Sequence, residues 1–158
     1  MRMSTGFALA CLLGTGLLIG SVGAAQEGKN EKAVSLKSLP AAVQRTAREQ
    51  CKGTTIRGFS KEVGEAGKMV YEVTTTVGGR GRDMIIAADG TLLIVEQEVT
   101  LASLPAAVRA TIEKNAGKRK IMLVETVTQS DTLAYYEAQV RGRTMAEIKV
   151  ARDGQLIR

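Results

Sequence analysis

The chain's only two prolines lie in one hexapeptide that occurs twice, Ser38-Leu39-Pro40-Ala41-Ala42-Val43 and Ser103-Leu104-Pro105-Ala106-Ala107-Val108, with 65 residues separating Ser38 from Ser103. Later landmarks keep nearly that offset. Tyr71-Glu72 answers to Tyr136-Glu137, and Asp89-Gly90 to Asp153-Gly154 with one residue fewer between. Recurrence at an almost constant period marks duplication of a structural unit, and two copies are too few for a solenoid. The expected organisation is one unit over residues 36–100 and a second over 101–158, preceded by a flexible segment over 26–35.

Each unit opens with a predicted helix. Pro40 and Pro105 fall in its first turn, where a missing N–H costs nothing, and Ser38 and Ser103 are the expected caps. The stripes Leu39, Val43, Ala47, Cys51 and Leu104, Val108, Ile112, Ala116 recur every four residues, as the buried face of a helix on a sheet does. Gly53 and Gly117 follow as stops. Strands are then predicted over 54–63, 68–77, 82–88 and 91–99, and again over 120–128, 133–141, 144–151 and 155–158. The short turn-rich links, Asp89-Gly90 above all, make them antiparallel. The predicted fold is therefore α+β: two tandem repeats of one helix packed on a four-stranded antiparallel sheet.

Matched positions in the two copies sort the faces. Met84 and Ile86 correspond to Ile148 and Val150, and Tyr71 and Val73 to Tyr136 and Ala138, so these should meet the helices. Glu72 and Thr74 correspond to Glu137 and Gln139, and Asp83 and Ile85 to Glu147 and Lys149. Those belong to the opposite face, which should be open to water or to a partner. Candidate contact residues there are Glu72, Thr74, Asp83, Tyr135, Glu137, Gln139, Arg141 and Lys149. Tyr135 points outward if its neighbour Tyr136 points inward.

The N-terminus reads as an export signal. Arg2 precedes an apolar run from Phe7 to Gly20, followed by Ser21-Val22-Gly23-Ala24-Ala25, with Gly23 and Ala25 suited to the small pockets of signal peptidase. The run is too short to span a bilayer comfortably, so residues 1–25 are expected to leave, with no stable membrane insertion afterwards and a periplasmic or secreted destination. Cys11 leaves with them. Cys51 then has no internal disulfide partner. Its place on the helix stripe favours a core role; a reactive thiol or a dimer link is the alternative.

Several chemistries are excluded by residue type. The chain has no His, which removes Ser–His and Cys–His nucleophilic sites and the commonest metal ligand. No Asp-rich calcium loop occurs. Gly78-Gly79-Arg80-Gly81 lacks the following helix and the Gly-Lys-Ser/Thr of a phosphate loop and reads as a hairpin turn. No cofactor and no metal is expected. The net charge of +6 comes from 22 basic and 16 acidic residues, densest at Lys118-Arg119-Lys120 with Lys114 before them. That basic patch is either the solvated end of a helix or a contact for anionic envelope material. Nucleic acid is not an expected partner, since no aromatic platform accompanies the charge.

The duplicated Leu-Pro-Ala-Ala-Val helix start, the Tyr-Glu strand and the Asp-Gly hairpin together resemble the PepSY-like, or β-lactamase-inhibitor-like, proteins over Leu36 to Arg158. The resemblance implies tandem helix-plus-four-strand units whose sheets share a concave surface, and inhibition or regulation of a secreted enzyme. It implies no active-site residue. The functional expectation is a non-catalytic exported module that binds a protein partner of the cell envelope through the open sheet face. The alternatives are a basic-patch protein binding anionic lipid or polymer, and a small carboxylate hydrolase built on Glu72 and Glu137.

Overall fold

In the computed structural model, residues 31–64 and 67–158 are described; the expected signal over 1–25 lies outside them. The order is β1 (Lys32–Ala33), α1 (Ala41–Gln50), β2 (Thr55–Val63), β3 (Met69–Val77), β4 (Arg80–Ala87), β5 (Leu92–Glu98), α2 (Ala106–Ala116), β6 (Lys120–Gln129), β7 (Thr132–Arg141), β8 (Met145–Ala151) and β9 (Leu156–Ile157). These strands form one nine-stranded antiparallel sheet in chain order. The expected pair of separate four-stranded sheets is therefore wrong. The joint is β5 against β6, running from Ile94↔Gln129 to Glu98↔Glu125, and β1 adds a further strand through Lys32↔Lys61 and Ala33↔Ser60. Joining satisfies the backbone groups that two independent sheets would each leave open on an edge strand. That pairing is not local in sequence, so nothing in either half announces it.

Both helices pack on one face of the sheet. Leu39, Val43, Ala47 and Cys51 meet Val73, Met84 and Ile86. Leu104, Val108, Ile112 and Ala116 meet Val124, Tyr136, Ala138, Val140, Ile148 and Val150. Val43, Val108 and Ile112 are fully buried, each stabilising the fold by roughly 1.5–3 kcal/mol. Cys51 is a buried free cysteine in this core.

The helix starts differ in detail from expectation. Pro40 and Pro105 stand just before the first helical residue, with extended backbone, and their carbonyls accept from Gln44 and Arg109 N–H. Ser38 and Ser103 close a preceding 3₁₀ turn instead, their hydroxyls donating to the carbonyls of Ser35 and Thr100. A hydroxyl turned back into its own turn is not available to cap the next helix.

The structure also explains why the two recurring motifs travel together. Each Asp-Gly hairpin leans on the start of the helix in its own half. Thr46 Oγ1 donates to the Gly90 carbonyl and Thr111 Oγ1 to the Gly154 carbonyl, both at 2.7 Å. A Cβ on Gly90 would lie 3.0 Å from the Ala42 Cβ, and one on Gly154 only 2.8 Å from the Ala107 Cβ, and both glycines have positive φ. The Ala-Ala of the hexapeptide keeps that approach clear. Replacing Gly154 by Ala combines left-handed strain with a steric clash. It should lower unfolding free energy by about 1–3 kcal/mol in urea melts, whereas Gly53→Ala, which meets no neighbour, should show only the backbone part of that loss.

Candidate functional site

Strand alternation places all eight contact candidates on the sheet face opposite the helices. Glu72 pairs with Ile85 and Thr74 with Asp83; Tyr135 pairs with Ala151, Glu137 with Lys149, Gln139 with Glu147 and Arg141 with Met145. The expectation that this face is open to water is corrected for most of them. Glu72, Asp83, Tyr135, Glu137 and Gln139 are buried, Thr74 and Lys149 are half-buried, and only Arg141 is exposed. β3, β4 and β7 are interior strands of the continuous sheet, so their side chains are flanked on both sides. An apolar cluster on the same face, Val70, Ile85, Ile94, Val127 and Tyr135, packs alongside.

Two further carboxylates complete the face, Glu96 on β5 and Glu125 on β6, at 6% and 4% exposure. With Glu72, Asp83 and Glu137 they make a row of acids crossing five consecutive strands. Asp83 stands opposite Glu96, Glu98 opposite Glu125, and Glu125 opposite Glu137. Directly opposed residues have Cβ atoms about 5 Å apart, so like charges there repel. Sequence comparison missed both acids. Glu125 falls opposite Ser60 at an offset of 65, and the position matching Glu96 lies past the final residue, Arg158.

Burial and repulsion act together on this row. Desolvation, then the carboxylates of Glu125, Glu137 and Asp83, push Glu96 up to about 9. Desolvation, then Asp83, take Glu72 to about 8, with a Ser60 hydrogen bond opposing. Glu125 rises to about 8 through burial and then Glu137. Asp83 rises to about 6, again chiefly through burial, with a hydrogen bond from Thr74 opposing. Glu137 is also raised by burial, partly offset by Lys149. A face open to water would leave Glu72 and Glu137 near the ordinary carboxylate range, so these shifts follow from the burial that the sequence reading did not foresee.

Lys149 stands at one end of the row. Its Nζ lies 3.3 Å from Glu137 Oε2 and 3.5 Å from Glu147 Oε2, and 5.6 Å from the centre of the Tyr135 ring. Toward the other end a cavity of about 760 Å³ opens beside Val70, Ile85 and Ile94. Asp83 Oδ1 and Gln139 Nε2 are buried with no hydrogen-bond partner among the described residues. Among the described residues no cluster of three or more acids or cysteines is arranged to hold a metal ion. Glu72 and Glu137 are also too far apart for a paired-carboxylate mechanism. Four strand spacings separate β3 from β7, about 19 Å along the sheet, against the 5–10 Å or so such chemistry needs.

The basic patch is elsewhere. Lys114, Lys118, Arg119 and Lys120 are exposed at and after the C-terminus of α2. Arg119 turns back on the helix, its guanidinium donating to the carbonyls of Ala116 and Asn115. This satisfies terminal carbonyls and complements the helix dipole.

A nine-stranded antiparallel sheet in chain order, with two helices on one face, defines the fold. It is shared with a BLIP-like protein from Bacteroides fragilis, at 18% identity over 75% of this chain and 84% of that one, TM-score 0.57. It is shared also with a DUF2874 family protein from Bacteroides ovatus, at 14% identity over 77% and 86%, TM-score 0.60. A protein from Bacteroides eggerthii described as a putative periplasmic protein matches at 18% identity over 76% and 86%, TM-score 0.62. No protein-family model matches the chain, and no curated protein matches its sequence. The β-lactamase-inhibitor-like resemblance read from the sequence is thus a likeness of fold.

The acid row gives the protein a definite pH profile. A carboxyl whose folded pKa is raised binds its proton more tightly folded than unfolded, so its contribution is complete below the unfolded value and is lost as pH rises through the folded one. With Glu72 and Glu125 near 8 and Glu96 near 9, the urea midpoint should fall steadily from pH 5 to pH 9. Glu96→Gln removes one such group. It should flatten the profile and raise stability at pH 8.5 by on the order of 1–3 kcal/mol.

Proposed function

We propose that this chain is a non-catalytic periplasmic protein that binds an envelope or secreted protein through the sheet face opposite its helices. One observation carries the reading: five carboxyl side chains are held on interior strands of that face, in repulsive juxtaposition, where apolar residues would make a more stable sheet. Stability given up at one surface is what a binding surface requires. The periplasm is supported by the fold shared with the Bacteroides eggerthii protein, and no described helix is long and apolar enough to cross a membrane. The chain has no His, which removes Ser–His and Cys–His nucleophilic sites, and this supports a role without catalysis.

Inhibition of an enzyme is the finer form of this reading, supported by the fold shared with the BLIP-like protein. Binding to anionic lipid through Lys114, Lys118, Arg119 and Lys120 has less support, because Arg119 is engaged with its own helix end. Capture from periplasmic extract tests the main reading. Tyr135→Ala and Glu137→Lys should each cut recovery of the captured partner at least fivefold, while a Lys118→Glu control should not. Equal recovery with all three variants contradicts it.

A further inference from the structure

We infer that the carboxyl row and the cavity beside it form one site for a cation carried on an apolar body, in a protein partner a Lys or Arg next to a large apolar side chain; this rests on the binding role proposed above. The cavity, about 760 Å³, has Val70, Ile85 and Ile94 in its wall with Met69 and Leu93, a size and lining suited to an organic group. Alternation along β3, β4 and β5 puts Glu72, Asp83 and Glu96 two residues from Val70, Ile85 and Ile94 and on the same face. That is about 7 Å along each strand, the reach of a lysine side chain.

No lysine or arginine among the described residues forms an ion pair with Glu72, Asp83 or Glu96. Ion pairs among the described residues are made by Lys149, three or more strands away from β3, β4 and β5. Lys68 is on the cavity wall with Asp89, and it acts on that aspartate. The charged groups acting most on Glu72 are Asp83, Glu31 and Glu62, and those on Glu96 are Glu125, Glu137, Asp83 and Glu72, every one a carboxylate. Asp83 supplies an independent sign. It is 6% exposed, and its Oδ1 has no hydrogen-bond partner among the described residues, which is rare for a buried acceptor. An ammonium or guanidinium group brought to this point donates to Asp83 and lets its neighbours ionise, so its binding expels protons.

Calorimetry with three eight-residue peptides tests this: alternating leucine–lysine, lysine–glycine and leucine–glutamate. The leucine–lysine peptide should bind at least tenfold more tightly than the other two, and more tightly at pH 8.5 than at pH 6.5. Heats at pH 7.5 in buffers of different ionisation enthalpy should show net proton release. The Glu72→Gln/Glu96→Gln double variant should lose at least tenfold in affinity and yet melt no lower than the parent, which separates lost recognition from lost folding. Equal binding of the lysine–glycine peptide, unchanged binding by the double variant, or no heat from any peptide overturns the inference. If these peptides fail while a partner is still captured in a Glu137-dependent way, the site assignment fails and the sheet-face reading stands; if both fail, the reading itself falls.

Discussion

Five residue pairs between β5 and β6, Ile94↔Gln129 through Glu98↔Glu125, decide what kind of molecule this is. Without them each half would end in an exposed edge, and β5 and β6 would present unpaired backbone to water or to another chain. With them the strands are continuous in chain order, and Glu96 and Glu125 move from edge positions to the middle of a sheet. An edge carboxylate is hydrated and cheap to hold. The same group on an interior strand, with a like charge opposite, is neither.

The two faces follow from this join. On the helix side, two apolar clusters bury Met84, Ile86, Val108, Ile112 and Val150 in ordinary fashion, and each Asp-Gly hairpin locks onto its helix through a threonine hydroxyl and a glycine–alanine approach. On the other side, apolar residues and acids share strands: Val70 with Glu72, Ile85 with Asp83, Ile94 with Glu96, Val127 with Glu125, Tyr135 with Glu137. The helix side carries the two larger apolar clusters. The other side departs from what stability alone would select, and such departures gather where proteins meet their ligands.

Much of this was legible in the sequence, for local reasons. The helix stripes, the hairpins and the inward set of Tyr71, Val73, Met84, Ile86, Tyr136, Ala138, Ile148 and Val150 all follow from spacing of three or four residues, alternation of two, and turn chemistry. The β5–β6 pairing was not, because its partners are separated by a whole helix and the code for strand neighbours is written in packing. Burial of Glu72, Glu137 and Tyr135 was misread for the same reason. A polar residue at an outward position looks solvated until the strands on both sides of it are known. Glu96 and Glu125 escaped because one has no counterpart before the chain ends and the other is matched by Ser60.

Through-space proton contacts in NMR spectra of the folded protein measure the join between the halves most directly. The structure predicts cross-strand backbone contacts linking Val95 to Thr128 and Gln97 to Thr126, with both halves relaxing as a single rigid body. Absence of every β5–β6 contact, with separate tumbling of the two halves, would contradict the continuous sheet and with it the buried carboxyl row.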